Sequence, residues 1–146
     1  MDFLDEVSMI KEKIRFIEIA TRSTENAGAL SFFEGEKDIP FPIKRFYYIY
    51  GAPRGSIRGG HAHKELEQFM FCMNGKVRVF LDDGREKLEV VLDTPSKGVY
   101  IKPGLWRDIE YLKDNSILAV AASEYYDETD YIRDYDKFKL YVRKDD

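Results

Sequence analysis

Short bursts of apolar and aromatic residues run along this chain, and Gly, Pro, Asn or Asp separates them every 8 to 12 residues. The bursts at 14–20 (IRFIEIA), 29–33 (ALSFF), 43–50 (IKRFYYIY), 67–73 (EQFMFCM), 76–81 (KVRVFL), 86–92 (EKLEVVL), 98–101 (GVYI), 106–111 (WRDIEY) and 116–122 (SILAVAA) predict β-strands. Asn74-Gly75 and Asp83-Gly84 supply the positive φ angles that tight turns demand, so residues 67–92 are expected to form a meander. The rhythm changes at 124–142, where Tyr131, Tyr135, Phe138 and Val142 recur at spacings of three and four behind a cluster of acids. That spacing predicts a short helical segment docked on the sheet. Residues 2–13 read as a helical turn or a loose arm.

About nine short strands make the chain all-β and leave a sandwich, a jelly roll or a small barrel open. At 146 residues it fits one domain, spanning 1–146, in which folding hides roughly 70% of the unfolded surface. A net charge of −4 argues against nucleic acid or an anionic membrane as the main partner, so any bound phosphate must be met by local cations. No apolar run reaches the ~18 residues of a membrane span or resembles a signal peptide, and the expected location is cytoplasmic. A lone cysteine, Cys72, agrees with a reducing compartment and reads as a small buried hydrophobe.

Both histidines of the chain fall in one stretch, RGGHAHKELEQFMFCMNG, residues 58–75. With Gly55, His61, His63, position 68 and Gly75, its spacing resembles the first motif of cupins. Metal-binding cupins carry glutamate where this chain has Gln68, and a third histidine in a second motif; here that motif, 98–108 (GVYIKPGLWRD), has none. Two imidazoles, a neutral amide and Arg107 make a poor set for a divalent ion, so no metal is expected. Side chains two apart share a face of an extended segment, so His61 and His63 converge on one cavity and suit proton transfer near their ordinary pKa of ~6.5. Arg58 and Arg107 offer charge-assisted hydrogen bonds to a diphosphate. Tyr48 and Tyr50 share one face of KRFYYIY, and Trp106 offers a wall for a base or a sugar ring.

The stretches IPFPIKRFYYIY, RGGHAHKELEQFMFCMNGKVRVFLDDG and SEYYDETDYIRDYDKF are similar to those of the cupin-type sugar 3,4-ketoisomerases that act on dTDP-4-oxo-6-deoxyglucose, and the similarity runs from about Ile14 to Phe138. The resemblance implies an antiparallel jelly roll (a single cupin domain), an isomerase without metal or cofactor, and a homodimer that exchanges N-terminal strands. It implies conversion of the 4-oxo sugar to the 3-oxo-6-deoxyhexose through an enediol, with His61 and His63 as acid-base groups, Arg58 as a substrate contact and Tyr48 as the tyrosine of the strand. Tyr48, Arg58 and Gln68 are candidate donors to the enediolate oxygen; Tyr50, Trp106 and Arg107 complete the expected contacts. The implied setting is deoxysugar biosynthesis for surface glycans such as O-antigen lipopolysaccharide or S-layer glycan. The alternatives are a nucleotide-sugar 3,5-epimerase, a metal-dependent cupin oxygenase, and a catalytically silent sugar-nucleotide-binding cupin.

Overall fold

The computed structural model describes residues 9–144. Alternating side chains can leave water only if a second layer covers the strand, and this chain supplies two sheets. Its strands are β1 (Ile14–Glu18), β2 (Ala20–Thr24), β3 (Gly28–Phe32), β4 (Arg45–Ile49), β5 (Ile57–His63), β6 (Gln68–Asn74), β7 (Val77–Asp82), β8 (Lys87–Leu92), β9 (Lys97–Ile101), β10 (Trp106–Tyr111), β11 (Ile117–Ala122) and β12 (Tyr131–Ile132). One helix, α1 (Tyr135–Arg143), follows, and 3-10 turns lie at Met9–Lys13 and Glu128–Asp130. The first sheet runs β1-β9-β6-β11-β4 and the second β12-β5-β10-β7-β8, with antiparallel pairing throughout. This is a cupin-like sandwich, the jelly roll that the family resemblance implied.

Between the sheets lie Met70, Cys72, Val77, Val79, Leu81, Val99, Ile109, Leu118 and Val120. The outer face of the first sheet is covered by the loop carrying Ile39 and Phe41, packed on Phe69, Phe71, Tyr100, Ala119 and Ala121. Strands β6 and β11 are therefore buried on both faces, which is why FMFC and ILAVAA read as unbroken apolar runs. The outer face of the second sheet receives α1, whose Phe138 packs on Ala62 and Ile132.

Three expectations are corrected. Residues 67–92 are not one meander: β7 pairs with β8 across Asp83-Gly84, but β6 and β7 lie in opposite sheets, so Asn74-Gly75 is a corner between layers. A strand apolar on both faces has to be central, flanked by β9 and β11, and leaves no side for β7. The burst at 14–20 is two elements, β1 and β2, parted at Ile19, which is buried and donates its N–H to Ser96 O at 2.7 Å. The helical stretch expected over 124–142 begins only at Tyr135, because Tyr131–Ile132 pairs with β5 and Asp134 then caps the helix through Lys137 N–H. The arm expected at 2–13 is a 3-10 turn over Met9–Lys13, and its earlier part lies outside the described residues.

Strand β5 has little strand-like sequence, yet it places Arg58 and both histidines. Gly59 (φ +117) and Gly60 (φ +71) form a bulge against β10, where the register passes from Asp108↔Gly59 to Arg107↔His61. Arg58 and His61 are three residues apart and would face opposite ways on a regular strand. The extra residue restores their phase, so Arg58 opposes Ile109 and His61 opposes Arg107 on the inner face.

At the corner between layers, Gly75 has φ +86, and a Cβ there would sit 2.3 Å from Ser116 Oγ and 2.8 Å from Ser116 Cα. Gly75→Ala is expected to cost about 1–3 kcal/mol, lowering the thermal midpoint by roughly 3–10 °C. A melting curve followed by circular dichroism checks this, and an unchanged midpoint would count against the corner's tight packing.

Candidate active site

Inward-facing residues of β4, β5 and β10 open a cavity of about 590 Å³, lined among others by Arg45, Tyr47, Arg58, His61, Arg107 and Tyr131. The choice of face on β4 follows from register. Tyr47 lies opposite Val120, which belongs to the core between the sheets, whereas Tyr48 lies opposite Ala119, on the outer face. The sequence reading took the other phase. Tyr48 meets the cavity at its rim, but it is 56% exposed and stands between Phe46 and Tyr50, itself 70% exposed. The inner tyrosine, Tyr47, accepts a hydrogen bond from Gln68 Nε2 at 2.9 Å.

Gln68 and Arg107 are both fully buried. Arg107 donates through Nη1 to Gln68 Oε1 and through Nη2 to Leu105 O at 3.0 Å, leaving its Nε without a partner. Burial lowers the Arg107 pKa to about 10, so the cation persists at neutral pH, and burial pushes the Tyr47 phenol up. Trp106 alternates to the outer face, where it packs against Tyr135 and Phe138 of α1 and directs its indole N–H toward Asp108 at 3.3 Å. The wall expected from Trp106 is therefore absent from this cavity, because residues one apart on β10 cannot share a face.

The two histidines are neighbours with different surroundings. Their ring centroids are 4.9 Å apart, edge to face, and Tyr131 covers both, at 5.1 Å from His61 and 4.4 Å from His63. His61 lines the cavity, while His63 is 0% exposed behind it. His63 Nδ1 lies 3.0 Å from Asp130 Oδ2, and Asp130 Oδ1 accepts the Glu65 N–H at 2.7 Å. A carboxylate only accepts, so Nδ1 carries the proton and Nε2, buried without a partner, keeps its lone pair. Burial first, then the Arg107 cation, lowers the pKa of His61 to about 4 and that of His63 to about 2. Neither ring keeps the ordinary value assumed from sequence; burial and the Arg107 cation hold both as neutral bases.

Residues 123–133 form a strap over the rings. Asp127 caps its 3-10 turn, and Glu128 takes a two-point ion pair from Arg133 at 2.6 and 2.9 Å. Arg133 in turn lies 4.4 Å over the Tyr131 ring. Sequence reasoning assigned this segment to a helix and so missed Asp130, Tyr131 and Arg133. It missed Arg45 and Tyr47 because it chose the face of KRFYYIY that carries Tyr48 and Tyr50, and the strand's own sequence does not say which face turns inward.

Among the described residues no group of three or more His, Cys, Asp or Glu side chains is arranged to hold a metal ion. The donor set argues the same way. Where a metal-binding cupin has further anionic or imidazole ligands, this chain sets Gln68, occupied on both ends, and a guanidinium that repels a cation.

Comparison with known proteins agrees with these findings. A family model described as WxcM-like, C-terminal (FdtA) matches residues 12–143. The TDP-4-oxo-6-deoxy-alpha-D-glucose-3,4-oxoisomerase of Aneurinibacillus thermoaerophilus is 48% identical over 120 residues, 82% of this chain and 86% of its own length. The crystal structure of the sugar 3,4-ketoisomerase QdtA from Thermoanaerobacterium thermosaccharolyticum, solved with TDP, superposes with a TM-score of 0.87 at 41% identity, covering 91% of this chain and 96% of that one. A histidine-to-asparagine variant of QdtA has been solved with TDP-4-keto-6-deoxyglucose. The 3'-monoepimerase ChmJ of Streptomyces bikiniensis, at 20% identity, TM-score 0.72 and coverage of 84% of this chain and 69% of its own, shares the fold.

The histidine environment predicts a pH effect on stability. Unfolding returns both rings to about 6.5, so the stability held in their neutral forms is complete above that pH. It is lost as pH falls toward 4 for His61 and 2 for His63, with a slope of up to about 1.4 kcal/mol per pH unit for each ring. Urea titrations between pH 7 and 5 are expected to show this slope, and His63→Gln is expected to flatten it; equal slopes for the two proteins would contradict it.

Proposed function

We propose that this chain, which belongs to the WxcM-like, C-terminal (FdtA) family, is a nucleotide-sugar 3,4-ketoisomerase that converts dTDP-4-oxo-6-deoxyglucose to the 3-oxo-6-deoxyhexose without a cofactor. The observation that carries this reading is a neutral imidazole, His61, presented to a cavity rimmed by arginines and by the phenol of Tyr47. The relative from Aneurinibacillus thermoaerophilus is named for that sugar nucleotide, and a QdtA variant has been solved with it.

The 4-oxo group makes the C3 proton acidic. His61 takes that proton, the carbonyl oxygen at C4 gains one, and an enediol forms. Loss of the proton on O3 and return of one to C4 leaves the ketone at C3, so electrons move within the sugar and no redox partner is needed. Of the histidines that the sequence nominated together, His61 is the one that lines the cavity, and His63, fixed by Asp130, supports it and Tyr131 from behind. Tyr47 replaces Tyr48 as the donor to the developing oxyanion: its oxygen already accepts from Gln68, which leaves its own O–H free for the substrate. Arg107, through Gln68, fixes that orientation. Arg58 contributes at the rim.

In this reading residues 1–146 form a single cupin domain that works as a homodimer. Both strands of the β2–β3 hairpin are exposed at every residue and, among the described residues, pair only with each other, and a two-stranded ribbon is marginal alone. Its Leu30 is 61% exposed, and β4 ends the first sheet with Phe46, Tyr48 and Tyr50 uncovered. Exchange of N-terminal strands between two copies would cover both features. A buried free cysteine suits the reducing cytoplasm, where the 3-oxo sugar would enter the making of a deoxysugar for surface glycans.

Proton NMR of the protein with dTDP-4-oxo-6-deoxyglucose in deuterated buffer is expected to show a 3-oxo sugar carrying deuterium at C4. His61→Asn should slow this by at least ~10²-fold, the range of a positioned base. Deuterium at C3 and C5 with the 4-ketone retained would point to the epimerase instead, and an unchanged sugar that still binds to the silent cupin. Light scattering should give about twice the chain mass, falling to the single-chain value when residues 20–32 are removed; a monomeric intact chain would refute the exchange.

A further inference from the structure

Most of the side chains that face the cavity around His61 are polar, but its wall carries one aliphatic patch, made by Ile49, Met70 and Ile109. Register places this patch. Tyr47 and Met70 both pair with Val120, on opposite sides of β11, so Met70 stands level with Tyr47 on the same inner face, two strands away. On β10, Arg107 pairs with His61, and Ile109 is the next residue to face inward, roughly 7 Å further along the strand. Ile49 follows Tyr47 in the same way on β4. Met70 is 1% exposed and Ile109 5%, and both belong to the core between the sheets, so the patch is the point at which that core reaches the cavity.

We propose that Met70 and Ile109, with Ile49 beside them, seat the C6 methyl group of the hexose and so select 6-deoxy sugars, an assignment that rests on the ketoisomerase reading above. Every other carbon of the 4-oxo hexose carries an oxygen, and the phenol, imidazole and guanidinium groups of the cavity are there to meet those oxygens. The methyl group alone needs no such partner. With C3 at His61 and the C4 oxygen at Tyr47, as the reaction requires, C5 and its methyl group are the next atoms round the ring, and Met70 and Ile109 are the inward-facing aliphatic side chains beside Tyr47 and Arg107.

A methyl group set against these side chains leaves water without giving up a hydrogen bond. A 6-hydroxyl in the same place also leaves water, but it meets a thioether, which is a weak acceptor, and isoleucine, which is none. Discrimination of this kind comes only from the hydrogen bonding that the hydroxyl loses, which sets a ceiling of about a hundredfold. Methionine suits the position because its unbranched thioether adjusts to the outline of a small group.

Calorimetric titration of the intact protein with dTDP-6-deoxyglucose and with dTDP-glucose tests this, since the two differ by one oxygen at C6 and neither has the 4-ketone that the reaction needs. The unsubstituted protein is expected to bind the 6-deoxy sugar about ten- to a hundredfold more tightly. Met70→Gln offers a 6-hydroxyl a partner of similar length and should bring the two affinities within about threefold, chiefly by tightening dTDP-glucose. Ile109→Thr should move the ratio the same way, and it carries the test if Met70→Gln does not fold. Equal affinities in the unsubstituted protein overturn the assignment, as does a folded variant of either kind that keeps the full preference. Turnover of dTDP-4-oxo-6-deoxyglucose separates this failure from that of the function. An active enzyme with no preference at C6, or with no affinity for either compound, refutes the methyl seat alone, whereas a protein that binds neither and leaves the 4-oxo sugar unchanged refutes the ketoisomerase reading and the seat with it.

Discussion

A guanidinium carried into the space between two β-sheets must be met on several sides, and meeting it organises this molecule's interior. Arg107 finds Gln68 and the Leu105 carbonyl, and Gln68 passes the constraint to Tyr47 on the far edge of the first sheet. One buried charge thus ties β10, β6 and β4 together across both layers. Breaking such a connection strands a charge away from water, which costs several kcal/mol. The same charge acts through space on the imidazoles, adding to burial in keeping them neutral.

The glycine bulge in β5 is what brings the histidines to that buried network. With no side chains to clash, Gly59 passes so close to β10 that a Cβ there would lie 2.9 Å from the Arg107 carbonyl. The cost is a strand with weak intrinsic preference, held by pairing on both sides, with β10 and with β12. What results is a change of phase inside one strand, which lets Arg58 and His61 look into one cavity while Ala62 packs outward beneath α1. The short pairing of Tyr131 with His63 adds a further layer, and the strap hung from it closes the back of the histidine pair with aromatic surface.

This cavity keeps its fixed charges apart from its titratable rings. Positive charge is spread around the rim, whereas the two imidazoles are neutral and set among aromatic rings. A negatively charged ligand entering the cavity offsets the cations that suppress protonation of the imidazoles, so the base becomes stronger when it is needed. The exposed hairpin and the uncovered edge of β4 lie outside this arrangement.

Local rules were enough to place most strands, because bursts such as EQFMFCM and SILAVAA bury both faces and leave no other structure open to them. The histidine pair, its glycines and the lack of metal-ligating partners were also legible, since residue type and spacing alone decide which chemistry is possible. Three features needed the tertiary structure. Whether Tyr47 or Tyr48 faces the cavity depends on the phase of β4 against β11, and phase is set by pairing rather than by composition. Whether Asn74-Gly75 closes a hairpin or turns a corner depends on which strands already flank β6. Asp130 and Tyr131 reach His63 across 67 and 68 positions of chain, a contact that no local pattern encodes. Sequence thus determined which groups were available; the meeting of distant segments decided which of them share one cavity, because only packing fixes the face that each strand turns inward.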